Sequence, residues 1–186
     1  MEIALIVLLV VIALVVIWVV GAYNGLVRIR QRVKNAWSQI DVQLKRRYDL
    51  IPNLVETCKG YIKHERETLE NVTKARTQAI EIKGGAAAQA KAENMLTQTL
   101  RSLFAVSENY PQLRANENML ALQEELSSTE NRISFSRQHY NDQVMQLNTR
   151  TEIFPTNIIA SMFGFKKEEF FEVETTAERE APKVTF

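Results

Sequence analysis

The sequence predicts an all-α protein: an N-terminal transmembrane helix followed by an elongated antiparallel helical bundle of three long helices and a short fourth. Three observations predict it. Ile3 to Val20 runs without a polar side chain. Beyond that run, apolar residues recur at intervals of three, four and seven, the spacing of helices that bury one face. Only six glycines and four prolines occur in 186 residues, so helix formers meet few breakers.

The first element is the apolar run. At about 1.5 Å per residue, roughly 20 residues in a helix match the hydrocarbon thickness of a bilayer. Ile3 and Val20 bound the expected span, and Trp18 near its far end suits the headgroup region. A cleavable signal carries a positive leader and a shorter apolar centre. Here Glu2 offsets the α-amino charge, and Gly21-Ala22 is a poor cleavage site, so the segment is expected to stay attached as an anchor over residues 1–23. Arg28, Arg30, Arg32 and Lys34 follow, then Lys45, Arg46 and Arg47, against the single acid Asp41. Bases beside a span are retained on the cytoplasmic side. The N-terminus is therefore expected outside and the remaining chain in the cytoplasm. The same four flanking bases can meet anionic lipid headgroups.

Residues 24–165 form the expected bundle. Leu26, Val33, Trp37, Ile40, Leu44, Tyr48 and Ile51 make the stripe of an amphipathic helix. Pro52 removes a backbone donor, but the rhythm resumes with Leu54, Cys58, Tyr61, Leu69 and Val72. A kink there, with the helix running on toward Ile80, is the expectation. Gly84-Gly85 is read as a turn, and a second helix starts in an alanine-rich stretch and continues through Leu96, Leu100, Leu103, Val106 and Tyr110. Pro111 suits the first turn of a third helix carrying Leu113, Leu120, Leu126, Ile133, Tyr140 and Leu147, ending near Asn148 to Thr151. Phe154-Pro155 opens a short fourth segment that stops at Gly164. Residues 166–186, with six glutamates and no sustained period, read as a mobile acidic tail, apart from Phe170 and Phe171, which are expected to pack on the bundle or a partner.

Bulk properties narrow the function. A net charge of +1 supplies no field suited to nucleic acid, so no nucleic-acid partner is expected. One cysteine excludes an internal disulfide framework. His64 and His139 lack metal-ligand spacing, Cys58 and His64 are six apart and diverge on a helix, and Gly84-Gly85 lacks a phosphate-loop pattern. No catalytic residue, metal, cofactor or small-molecule substrate is expected. Polar residues instead crowd the apolar stripes: Arg46, Arg47 and Asp49 around Tyr48, Glu130 and Arg132 beside Ile133, with Asn53, Glu108 and Asn141. Two readings stay open for them, a solvated face worth little and an interhelical or subunit network that sets register. Trp37 is likewise either a core residue or an interface anchor.

At these residues the chain resembles the LemA family. The resemblance is carried by Tyr23-Asn24, the run Trp37 to Arg47, Asp49-Leu50-Ile51-Pro52-Asn53-Leu54-Val55, Glu70 to Arg76, Glu108-Asn109-Tyr110-Pro111, Thr129 to Ile133, Tyr140-Asn141 and Phe154-Pro155, with Gly164-Phe165 near the end. It implies a single-pass protein of the bacterial inner membrane with a long-helix bundle, and it brings no catalytic residues. The interface candidates are Trp37, Asp41, Arg46, Arg47, Asp49, Pro52, Asn53, Glu108, Tyr110, Pro111, Glu130, Arg132, Tyr140, Asn141, Phe154 and Pro155. The leading functional expectation is a non-enzymatic scaffold, partnered by the lipid bilayer and by further copies of itself. A helical stretch from Leu26 to Ile80 would span about 80 Å if straight, and rods sharing one membrane meet at high effective concentration. The alternatives are an adaptor recruiting another membrane or cytoplasmic protein, and a lipid-binding, membrane-remodelling protein.

Overall fold

The computed structural model describes residues 1–62 and 65–172. Among the described residues lie six helices and no strand: α1 (Glu2–Lys59), α2 (Arg66–Glu81), α3 (Ala86–Ser107), α4 (Pro111–Arg114), α5 (Glu117–Glu152) and α6 (Thr156–Met162). The protein is all-α. His64 and residues 173–186, which include most of the expected acidic tail, lie outside the described residues.

Two helix boundaries differ from the sequence expectation. The first helix does not run on to Ile80. It ends at Lys59, where the amides of Tyr61 and Ile62 both turn back to the Cys58 carbonyl, at 3.0 and 2.9 Å. Gly60, a weak helix former, sits in that tightened turn, and Ile62 is buried beyond it. The third helix also begins later. α4 is a single turn with Pro111 at its start, and Asn116 then opens α5 by accepting the Met119 amide on Oδ1 at 3.1 Å. With this restart Met119 is fully buried and Leu120 is half exposed, so Met119, Leu126, Ile133, Tyr140 and Leu147 follow one another at intervals of seven. The step of six read from Leu120 disappears.

The Gly84-Gly85 turn, the start of α3 at Ala86 and the stop at Gly164, whose φ is +68°, agree with the sequence. Only glycine takes that left-handed conformation readily.

The described residues divide into two compact units, 1–40 with 136–168, and 41–62 and 65–135 with 169–172. In unit 1 the early part of α1 lies antiparallel to the late part of α5. Trp37 meets Tyr140, whereas Ile29 and Arg32 share a groove with Met145 and Arg150. α6 packs Ile159 and Ala160, with Phe165 after it, on Leu26 and on Val19, Ala22, Tyr23 and Val27. Two side-chain bonds hold the chain that leaves α6: Asn148 Nδ2 donates to the Glu168 carbonyl at 3.0 Å and its Oδ1 accepts the Glu168 amide at 2.9 Å. Lys167 also pairs with Glu152.

Unit 2 holds the larger core. Ile51, Leu54, Cys58, Leu69, Val72, Leu96, Leu100, Leu103, Leu113, Met119 and Leu126 are buried together. α2 packs on α3, and the alanines Ala75, Ala79, Ala86 and Ala90 are buried on these two helices. Phe171 is buried as well, while Phe170 stays partly exposed. Burial pushes the Cys58 thiol up to about 11 from an ordinary 9.0. A raised thiol is protonated in the fold and ionises first in the unfolded chain, so stability is intact below about pH 9 and falls as the pH rises toward 11. Thermal unfolding from pH 8 to pH 10, below the range where the raised Tyr48 phenol adds its own loss, should show this decline, and Cys58→Ala should lessen it. An equal slope in the variant would assign the decline to other groups.

Candidate functional site

α1 continues through Pro52. Proline has no amide, so the carbonyl four residues back, that of Tyr48, loses its helical partner. Arg76 supplies the replacement: its Nε donates to the Tyr48 carbonyl at 2.7 Å. A charged donor from α2 thus fills the gap that Pro52 makes in α1. Arg76→Met should cost about 1–3 kcal/mol by orphaning that carbonyl. In a Pro52→Ala background, where an amide returns, the same change should cost markedly less. Equal costs in a double-mutant cycle would break the link.

Tyr48 is also the first side chain of a buried polar cluster. Its hydroxyl donates to Glu93 Oε1. The Gln89 amide nitrogen stands 3.1 Å from that hydroxyl, 3.2 Å from the Ala79 carbonyl and 3.3 Å from Glu93 Oε1. Arg47 completes the cluster. Nη1 is 3.3 Å from Glu93 Oε2 and 3.0 Å from Glu130 Oε2, and Nη2 donates to Thr97 Oγ1 at 2.8 Å. The Arg47 and Glu93 side chains are 4% and 0% exposed, so this ion pair is desolvated, whereas Glu130 keeps 42% exposure. Burial, the Glu93 charge and the Glu93 hydrogen bond raise the Tyr48 phenol, with Arg47 and Gln89 opposing weakly. Tyr48 therefore stays protonated and serves as a donor.

The local sequence explains how the charges came to be inside. Val33, Ile40, Arg47 and Leu54 are spaced by seven on α1, as are Ala86, Glu93, Leu100 and Ser107 on α3, and all eight are buried. Each charge occupies a core position of its own helix, so the two can meet only across the interior. An open groove of about 310 Å³ borders the cluster, lined by Arg47, Thr97, Leu100, Phe104, Gln123 and Glu130 among others. Because Arg47 is already held by two carboxylates and a hydroxyl, the cluster acts as a clamp on α1, α2, α3 and α5.

The sequence-derived candidates fall into three groups. Arg47 and Glu130 meet in the clamp, and Arg46 pairs with Glu125 at the surface. Trp37 is half-buried, edge-on to the buried Tyr140 with centroids 5.3 Å apart, and Asn141 is half-buried. Tyr110 is half-buried at the start of α4 and packs on the unit 2 core. Asp41, Asp49, Pro52, Asn53, Glu108, Pro111, Arg132 and Phe154 are exposed, with Pro155 half-buried after a cis peptide bond. His139 is exposed. Glu93, Gln89, Thr97 and Arg76 were not among the candidates, and the seven-residue register of Glu93 is the signal that would have found it.

The apolar run is the start of α1, and it is long and apolar enough to cross a membrane. None of its most apolar 18-residue window is buried by the chain itself. Just beyond it, the Tyr23 ring lies tilted against Phe163 and edge-on to Phe165, with centroids 4.8 and 5.8 Å apart.

Comparison with known proteins matches the LemA family model to residues 36–186. The chain is 28% identical over 141 residues to Protein LemA of Metamycoplasma hominis, a match covering 76% of this chain and 64% of that protein. It is 23% identical over 175 residues to Magnetosome protein MamQ 2 of Paramagnetospirillum magneticum, covering 81% and 64%. Magnetosome protein MamQ of Magnetospirillum gryphiswaldense is 21% identical over 174 residues, covering 80% and 64%. The aligned region thus spans a little under two thirds of each relative.

Proposed function

This chain belongs to the LemA family, and from that premise we propose that it is a non-enzymatic, membrane-anchored helical scaffold that associates laterally with further copies of itself. The first part of α1 is the anchor, crossing the inner membrane once with its N-terminus outside. The bases from Arg28 to Lys34 hold the helical units on the cytoplasmic side.

One observation carries the self-association: Val42 on α1 and Phe135 on α5 are 64% and 73% exposed, the least covered large apolar side chains among the described residues of unit 2. Burying a side chain of this kind contributes about 1.5–3 kcal/mol. Anchored copies share one orientation and a high local concentration, so modest contacts of this size suffice. The Arg47–Glu93 clamp keeps the helices in one register and so presents the same face in every copy.

Mass measurement of the full chain in mild detergent tests the reading. The wild type should form a defined oligomer, and Val42→Ser with Phe135→Ser should shift it toward monomer with little change in melting temperature. A wild type that stays monomeric over a wide concentration range would refute lateral association.

A further inference from the structure

We propose that unit 1 carries a binding site for an anionic phospholipid headgroup where α1 leaves the membrane. The site is a pocket of about 280 Å³ whose lining includes Gly21, Gly25, Arg28, Arg32, Arg150 and Thr156. It rests on reading the start of α1 as a membrane span and is independent of self-association.

The pocket follows from the sequence of α1. Positions 21, 25, 28 and 32 are spaced by four, three and four, which places them on one face of the helix. The two glycines have no side chain to fill the floor, and a Cβ built on either meets nothing within 4 Å. Arg28 and Arg32 continue that face away from the span. Side chains on a helix lean toward its N-terminus, which on α1 is the membrane side. Arg150 arrives from the end of α5 and Thr156 from the start of α6. Three guanidinium groups and a hydroxyl thus border one cavity, and no carboxylate is among the lining residues. Guanidinium groups bind phosphate oxygens in paired, charge-assisted hydrogen bonds, and these three are exposed where a ligand can reach them.

The wider basic run does not behave as one unit. Arg30 stacks over the Phe165 ring, 4.8 Å from its centroid, and Lys34 is exposed and does not line the pocket. What remains is a built cluster of Arg28, Arg32 and Arg150, the last more than a hundred residues away in sequence.

Membrane continuity favours a lipid phosphate over a free one. The span ends near Val20, and α6 packs on Val19, Ala22 and Tyr23, directly at that end. The outer face of α6 is apolar: Ile158 and Met162 are 52% and 73% exposed, and Phe154 and Phe163 beside it are 79% and 50% exposed. An apolar helix face joined to the end of a span, with arginines around it, has the composition of a segment lying in the headgroup layer. That depth brings phospholipid phosphates to the pocket mouth.

Native mass spectrometry of the full chain in detergent, with phosphatidylglycerol or phosphatidylcholine added, tests the site. The wild type should retain phosphatidylglycerol in preference to phosphatidylcholine. Arg28→Gln, Arg32→Gln and Arg150→Gln should each weaken that retention about five-fold, the effect of one basic residue beside an anionic surface. Gly25→Leu should abolish it by filling the floor without changing charge, whereas Arg150→Lys should preserve part of it and Lys34→Gln all of it. Equal retention of the two lipids, or a loss with Lys34→Gln as large as with Arg150→Gln, would overturn the proposal. Displacement of the lipid by millimolar inorganic phosphate would identify a soluble-anion site instead and overturn it equally. Alkaline carbonate extraction of the same protein checks the span separately, so a failed anchor and a failed pocket give different results.

Discussion

Arg47→Met should destabilise the folded chain by about 3–5 kcal/mol, because it strands the fully buried Glu93 carboxylate without its cation. For a protein of this size that is a fall of about 6–20 °C in melting temperature, measurable by circular dichroism in detergent. Adding Glu93→Gln to the Arg47→Met variant should restore much of the loss. The glutamine carbonyl still accepts from Tyr48, and the unpaired charge is gone. Replacing both members of a buried pair by neutral groups is often close to neutral in stability, whereas removing one partner is not. Arg46→Met, which breaks the exposed pair with Glu125, should cost less than about 1 kcal/mol. A small loss with Arg47→Met, or no recovery in the double variant, would mean that the clamp does not hold the helices.

Deleting residues 3–18 should abolish retention in the membrane through an alkaline carbonate wash while leaving the helical units folded. The segment contains thirteen Ile, Leu and Val residues. At roughly 0.3–0.6 kcal/mol each, they supply about 4–8 kcal/mol for insertion. None of the deleted side chains is buried by the rest of the chain, so melting should move by no more than about 2 °C. Val19, Ala22 and Tyr23, which do pack on α6, remain in place. Persistence of the shortened protein in the washed membrane, or carbonate release of the full chain, would contradict the anchor.

Much of the bundle is legible because burial imposes a period on sequence. Ile40, Leu44, Ile51, Leu54 and Cys58 read as one buried face, and all are buried. The same rule misleads where a polar residue occupies a core position. Periodicity puts Tyr48 on the stripe and Arg47 beside it, yet Arg47 is the buried member and Tyr48 is half exposed. At the start of α5 the adjacent Met119 and Leu120 fit an apolar position equally well by type. The cap formed by Asn116 chooses between them by setting where the helix begins. The end of α1 escapes the sequence because the apolar rhythm carries across Gly60 without interruption, and periodicity alone does not register a reversal of direction.

By itself the sequence determined the helical class, the apolar run suited to a membrane, the glycine stop at Gly164 and most of the buried apolar positions. Each is a local property of spacing, propensity or length. Only the tertiary structure decided that Arg76 completes the helix at Pro52, that Arg47 finds Glu93 across the core, and that Arg150 joins Arg28 and Arg32 around one pocket. Those pairings link residues roughly 30 to 120 positions apart. A side chain's charge can be read from its letter, but its partner is set by which helices pack and in what register, and a single chain's periodicity leaves both undetermined.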